Sequence, residues 1–168
     1  CSVDGRDPHI WLSPRLVKVQ ARTIADALIR TDPLGRRSYE TNLAAFLKDL
    51  DSLDKDLTEV LAPVKGKTLL VFHPAWGYFA DTYGLVQEPI EMEGKEPSGR
   101  QLARMIDMAK AKRVSVIFVQ PQFSKNSAKR VAEAIGAVVV AIDPLARDYV
   151  RNLERVAAAV GSGLHKQK

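Results

Sequence analysis

The sequence predicts an α/β protein: a four-stranded, mainly parallel sheet flanked by helices and preceded by one long connecting helix. Three observations carry that expectation. From residue 66 onward, short apolar runs alternate with segments of helical period, the pattern of right-handed strand–helix–strand crossovers. The runs Thr68–Phe72, Val114–Val119 and Val138–Ile142 are apolar almost throughout, as strands covered on both faces must be. Before them, Tyr39, Leu43, Phe46, Leu50, Leu53, Leu57 and Val60 step by alternate fours and threes, and no Gly or Pro intervenes before Pro63.

The elements follow in order. Ser13-Pro14 reads as a helix start, a hydroxyl cap followed by a proline that loses nothing at the first helical position. Val17, Ala21, Ile24, Ala25 and Leu28 then mark one apolar face to about Arg30, and Asp32-Pro33-Leu34-Gly35 breaks the pattern. Residues 36–62 form the long helix, roughly 40 Å at 1.5 Å per residue. Three heptads of this spacing also suit a coiled coil, but a strut packed against its own chain is the expectation here. The strand at Thr68–Phe72 precedes a helix from Ala75 to Tyr83, stopped at Gly84. A strand over Leu85–Ile90, a helix over Arg100–Lys112, the strand Val114–Val119, a helix over Ser127–Ile135, the strand Val138–Ile142 and a last helix over Leu145–Val160 complete the chain. Gly161-Ser162-Gly163 reads as the opening of a loose tail. The organisation is therefore residues 1–35, 36–65, 66–161 and a tail at 162–168.

Composition removes several function classes. The chain has 168 residues and one cysteine, Cys1, which leaves no internal disulfide framework and no thiolate metal cluster. No run approaches the ~18 apolar residues of a membrane span. The net charge of +5 comes from residues 66–168, since acids and bases balance over residues 1–65. The basic side chains alternate with acids at helical spacing, as at Lys110, Lys112 and Arg113 or Lys125, Lys129 and Arg130. That is a solvated helix surface rather than the one-sided basic face of a nucleic-acid binder, so no nucleic-acid partner is expected.

Chemistry should gather beyond the carboxyl ends of the strands, where open parallel sheets bind ligands. His73 follows the strand ending at Phe72, Asp143 follows the strand ending at Ile142, and His9 sits in a proline-stiffened turn. Two imidazoles with a carboxylate and no thiolate suit Zn²⁺ or Mn²⁺. Plainer readings stand beside this one. Each histidine serves equally as a structural residue, Asp143 before Pro144 as a helix cap, and Asp7 before Pro8 as a turn former. His165, near the end of the chain, reads as solvated and idle.

Two motifs sharpen the choice. Asp7-Pro8-His9-Ile10-Trp11-Leu12-Ser13-Pro14 and Phe72-His73-Pro74-Ala75-Trp76-Gly77-Tyr78-Phe79-Ala80, continuing through Tyr83-Gly84-Leu85, form a paired signature. It resembles that of the zinc/manganese-binding solute receptors of bacterial ABC importers, the cluster A-I family. Glu96-Pro97-Ser98, Pro121-Gln122-Phe123-Ser124 and Asp143-Pro144-Leu145 fit the same pattern in order. The resemblance implies a C-terminal α/β lobe of a two-lobe receptor, with residues 1–35 as a remnant of the N-terminal lobe. It implies metal ligands at His9, His73 and Asp143, with a further ligand from an N-terminal lobe. A histidine at the third family position accompanies zinc and a glutamate manganese, so His73 implies Zn²⁺ over Mn²⁺. It further implies capture on the periplasmic or extracellular face of a bacterial membrane, delivery to an ABC importer permease, and no catalysis. Binding should weaken in acid, because the ligands must be deprotonated.

The departures carry expectations of their own. No N-terminal lobe precedes Cys1, which reads as an interior cysteine exposed by truncation rather than a lipidated first residue. Uncovered apolar faces on residues 17–28 and 39–60 then predict a homodimer. Gln120 stands where the family usually has Glu, and its effect is expected in local hydrogen bonding. Trp11, Trp76, Tyr78 and Phe79 are expected to wall the site or to pack the core. The alternatives to capture are a zinc hydrolase with an open coordination position, for which Glu96 is the candidate base, and an adhesin or interaction protein.

Overall fold

The computed structural model describes residues 6–91, 97–122 and 126–165. Helix α1 spans Pro14–Thr31 and α2 spans Arg36–Leu61. They are joined by the 3-10 turn Pro33–Gly35, which Asp32 closes by accepting from the Gly35 N–H. The α/β part follows as β1 (Thr68–Val71), α3 (Gly77–Tyr83), β2 (Val86–Pro89), α4 (Gly99–Ala111), β3 (Val116–Val119), α5 (Asn126–Ile135), β4 (Val138–Ala141) and α6 (Tyr149–His165). The strands form one parallel sheet in the order β2-β1-β3-β4.

Burial explains why the central strands are the apolar ones. All four residues of β1 and of β3 are buried, while the edge strands β2 and β4 are partly open. One core fills the space between the sheet and α2, α3 and α6, with Leu53, Leu57, Leu61, Leu69, Phe79, Phe118, Leu153 and Val160 among its members. A second core lies between the sheet and α4 and α5, built on Leu70, Ile117, Ala109 and Val131. The αL glycine Gly84, at φ 72°, ends α3 as expected.

The long helix behaves as a strut of two halves. Leu50, Leu53, Leu57 and Leu61 are buried, so its C-terminal half is part of the core. Its N-terminal half packs against α1, leaving Ile24 59% and Phe46 37% exposed around an apolar groove. Val60, assigned inward by the heptad, is 46% exposed. The inward residue of that turn is Leu61, because the drift of a straight 3.6-residue helix moves the stripe by one position.

Four local expectations are corrected. Ser13 is not a side-chain cap for α1; its Oγ accepts from Thr82 Oγ1 at 2.8 Å, tying the helix start to α3. Helix α3 begins at Gly77 rather than Ala75, because Ala75 turns back to bond its N–H to the His73 carbonyl. Helix α6 begins at Tyr149 rather than Leu145: Asp143 Oδ1 accepts from the Leu145 N–H in a turn, and Asp148 accepts from Arg151 and Asn152 at the true helix start. Gly161-Ser162-Gly163 does not open a tail, since α6 runs through it to His165. Leu164 is fully buried, and a Cβ at Gly163 would sit 3.0 Å from Val116 Cγ1. The glycine here allows close helix–sheet approach instead of a break. His165 itself is exposed, in the last turn of α6.

Candidate metal centre

Every strand of the sheet delivers a polar side chain just past its carboxyl end. Beyond β1 comes His73, beyond β2 Glu91, beyond β3 Gln120 and beyond β4 Asp143. Three of them are deeply buried: His73 is 3%, Glu91 3% and Gln120 0% exposed. Burial of groups this polar demands partners, and the sheet order supplies them. His73 lies between its neighbours, with Nδ1 2.5 Å from Glu91 Oε1 on one side. On the other side, Gln120 Oε1 accepts from the His73 N–H at 3.2 Å while Gln120 Nε2 donates to the His73 carbonyl at 2.7 Å. The edge continues with Gln122 Nε2 donating to Asp143 Oδ1 at 2.7 Å.

The third candidate arrives from the other end of the chain. Asp7 Oδ1 accepts from the His9 N–H at 2.9 Å and stands 2.6 Å from His9 Nδ1. This fixes the turn that leads into the 3-10 segment Ile10–Leu12. Trp11 then clips the turn to the far side of the sheet: its Nε1 donates to the Pro144 carbonyl at 3.0 Å, and Tyr149 donates its hydroxyl proton to the Trp11 carbonyl at 2.8 Å. The outcome is that the His9 and His73 rings meet edge to face, with centroids 5.3 Å apart and planes at 79°.

The two histidines share one design. Each has Nδ1 against a carboxylate, Asp7 or Glu91, an arrangement that holds the ring orientation and leaves the lone pair on Nε2, the nitrogen that then serves as a metal donor. Asp143 stands on the same sheet edge but is not drawn into the pair. Its Oδ1 accepts from Gln122 and Leu145, and its backbone carbonyl accepts from Asn152 Nδ2 at 2.6 Å. Among the described residues, no three His, Cys, Asp or Glu side chains gather into one ligand shell. Glu96 and the Phe123-Ser124 part of the Pro121-Gln122-Phe123-Ser124 motif lie outside the described residues.

The aromatic residues divide. Trp11 lies against His9, ring centroids 5.2 Å apart. Trp76 and Phe79 are fully buried core residues that pack on each other. Ser98, in the described part of the Glu96-Pro97-Ser98 motif, caps α4 in a reciprocal pair with Gln101. Sequence reasoning missed Glu91. The signal was available, since Glu91 stands two residues past the end of β2 just as His73 and Asp143 stand two past β1 and β4.

Comparison with known proteins gives the family of the chain. The family profile described as "ZnuA: Zinc-uptake complex component A periplasmic" matches residues 2–162. The chain is 33% identical over 141 residues to the high-affinity zinc uptake system protein ZnuA of Bacillus subtilis (strain 168), an alignment covering 83% of this chain and 44% of that protein. The chain thus spans less than half the length of this curated relative. A crystal structure of ZnuA superposes with a TM-score of 0.92 at 49% identity, over 94% of this chain and 62% of that one. The laminin-binding protein Lmb of Streptococcus agalactiae, described as a bifunctional protein with adhesin and metal transporting activity, superposes at a TM-score of 0.88. Its identity is 30%, over 98% of this chain and 67% of that one.

Proposed function

The chain belongs to the ZnuA family of periplasmic zinc-uptake components, and from that premise we propose that it captures Zn²⁺ on the outer side of a bacterial inner membrane and hands it to the permease of an ABC importer. The observation that carries the reading is the His9–His73 pair, two rings 5.3 Å apart whose Nδ1 atoms both lie on carboxylates. Both Nε2 atoms then act as neutral nitrogen donors to one ion. Asp143 supplies the oxygen donor once its carboxylate turns from Gln122 towards the ion. A fourth ligand from a further lobe completes a closed tetrahedral shell, which is a capture site and not a catalytic one. Two nitrogen donors favour Zn²⁺ over Mn²⁺, for which oxygen ligands are better suited.

Zinc titration of the chain against a chelating dye tests the reading. His73→Ala and Asp143→Ala should each lower affinity, the histidine change by more, with Mn²⁺ competing poorly in the parent. Affinity that is indifferent to both substitutions overturns it. The exposed groove between α1 and α2, lined by Ile24, Leu28, Leu43 and Phe46, is the surface through which two copies would pair. Light scattering that shows only monomer removes that part of the reading.

A further inference from the structure

Gly77 lacks a side chain for a reason the fold alone does not supply. It opens α3, and its backbone is not in the left-handed region that Gly66, Gly84 and Gly136 occupy. Its conformation is therefore open to any residue; what it provides is space. A Cβ built on Gly77 would lie 2.7 Å from Asp7 Oδ2, nearer than such atoms approach, with Gln87 Nε2 the next neighbour at 3.6 Å. The other oxygen of the same carboxylate holds both the N–H and the ring Nδ1 of His9. Gln87 in turn accepts from the Trp76 N–H at 2.7 Å, which holds the start of α3 to β2.

We propose that Gly77 is a positioning residue for metal capture: its bare Cα is the seat on which the Asp7 carboxylate rests, and through Asp7 it sets His9 against His73. The seat is built into the segment that also carries His73, four residues earlier. A turn placed by that seat is therefore automatically in register with the second imidazole. Adding a methyl group at Gly77 is relieved only by moving the carboxylate that holds both His9 bonds, so the disturbance passes to the ring. The ligand role of His9 rests on the functional reading above; the seat itself does not.

A double-mutant cycle with Gly77→Ala and Asp7→Ala separates the two. Two readouts are taken on the whole chain: zinc affinity by dye competition, and the His9 tautomer in the metal-free protein from long-range proton–nitrogen NMR. Gly77→Ala should lower zinc affinity by about 10- to 100-fold, the usual effect of losing a ligand's orienting partner, and should alter the His9 nitrogen shifts. In the Asp7→Ala background the same change should add nothing to either readout. An unaltered His9 tautomer in Gly77→Ala, or an equal loss of affinity with and without Asp7, overturns the proposal. If Gly77→Ala folds poorly, restoration of folding by the added Asp7→Ala supports the seat and persistent loss overturns it. Absence of zinc binding in the parent chain would refute the functional reading alone, because the tautomer readout needs no metal.

Discussion

Gln120 clasps the backbone of His73 on both sides, accepting from its N–H at 3.2 Å and donating to its carbonyl at 2.7 Å. A side-chain amide is suited to this because it carries one acceptor and one donor in a plane, as the neighbouring strand of a sheet would. A glutamate in its place accepts the N–H but as a carboxylate has nothing to give the carbonyl. Gln120 thus continues the β1–β3 pairing one step past the strands with a side chain.

Replacing Gln120 by Leu keeps the volume and removes both bonds in a fully buried place. The expected cost is about 1–3 kcal/mol, the range for stripping partners from a buried polar group. Urea denaturation of the metal-free protein measures it.

Glu91→Gln should leave the fold largely intact while weakening zinc binding by about 10- to 100-fold, since the carboxylate on Nδ1 strengthens and orients the imidazole as a donor. Dye competition on the variant gives the affinity, and its thermal midpoint should stay near that of the parent. Glu91→Ala should do more, opening a cavity beside buried His73 as well.

Stability should fall in strong alkali through Tyr83. Burial first, then the charge of Asp54 and the hydrogen bond to its Oδ1 at 3.1 Å, push the phenol far above its ordinary value, with Arg15 pulling the other way. Tyr83 therefore keeps its proton in the folded chain when the unfolded chain has released it. Above about pH 10 the unfolded state binds fewer protons, so stability declines, by at most about 1.4 kcal/mol per pH unit for this group. Below that pH the group adds no pH dependence. Tyr83→Phe should flatten the decline between about pH 10 and 12, as read by urea unfolding across that range.

The two glycines of α6 should respond oppositely to alanine. At Gly161 a Cβ meets Val60 at an ordinary 3.4 Å, so Gly161→Ala should stabilise by about 0.5–1 kcal/mol through helix propensity. At Gly163 it meets Val116 at 3.0 Å and Phe118 at 3.2 Å, and this crowding should cancel or reverse the gain. Thermal melting of the two variants ranks them.

The sheet, its parallel sense and both long helices were legible in the sequence because each rests on a period: 2 or continuous for the strands, 3.6 for the helices. Ser13, Gly161 and Gly163 misled because the local signals for capping and breaking are overruled by what the fold brings near: Thr82 at Ser13, Val60 of α2 at Gly161 and the β3 surface at Gly163. Phe79 is a motif residue whose position is explained by packing; Trp76 packs in the same core, with its indole Nε1 buried and no hydrogen-bond partner for it among the described residues. At the sheet edge, His73 and Asp143 were found by applying the strand-end rule to two strands. Glu91 needed the same rule applied to β2, which the sequence also offered as a strand over Leu85–Ile90 but whose Val-Gln-Glu-Pro run carries a weaker apolar signal than its neighbours. The pairing of His9 with His73 has no signal in spacing at all, because it depends on Asp7, Gly77 and Trp11 closing a tertiary contact.

The Trp11–Pro144 bond joins positions 133 apart in sequence. Closing so long a loop is entropically slow and comes after the local helices have formed. A growing polypeptide therefore emerges with His9 held by Asp7 but not yet clipped to the sheet. It gains the paired nitrogen geometry only once the segment that carries Pro144 has been synthesised and has collapsed onto Trp11. Zinc met before that moment finds single, independent imidazoles and no reason to stay.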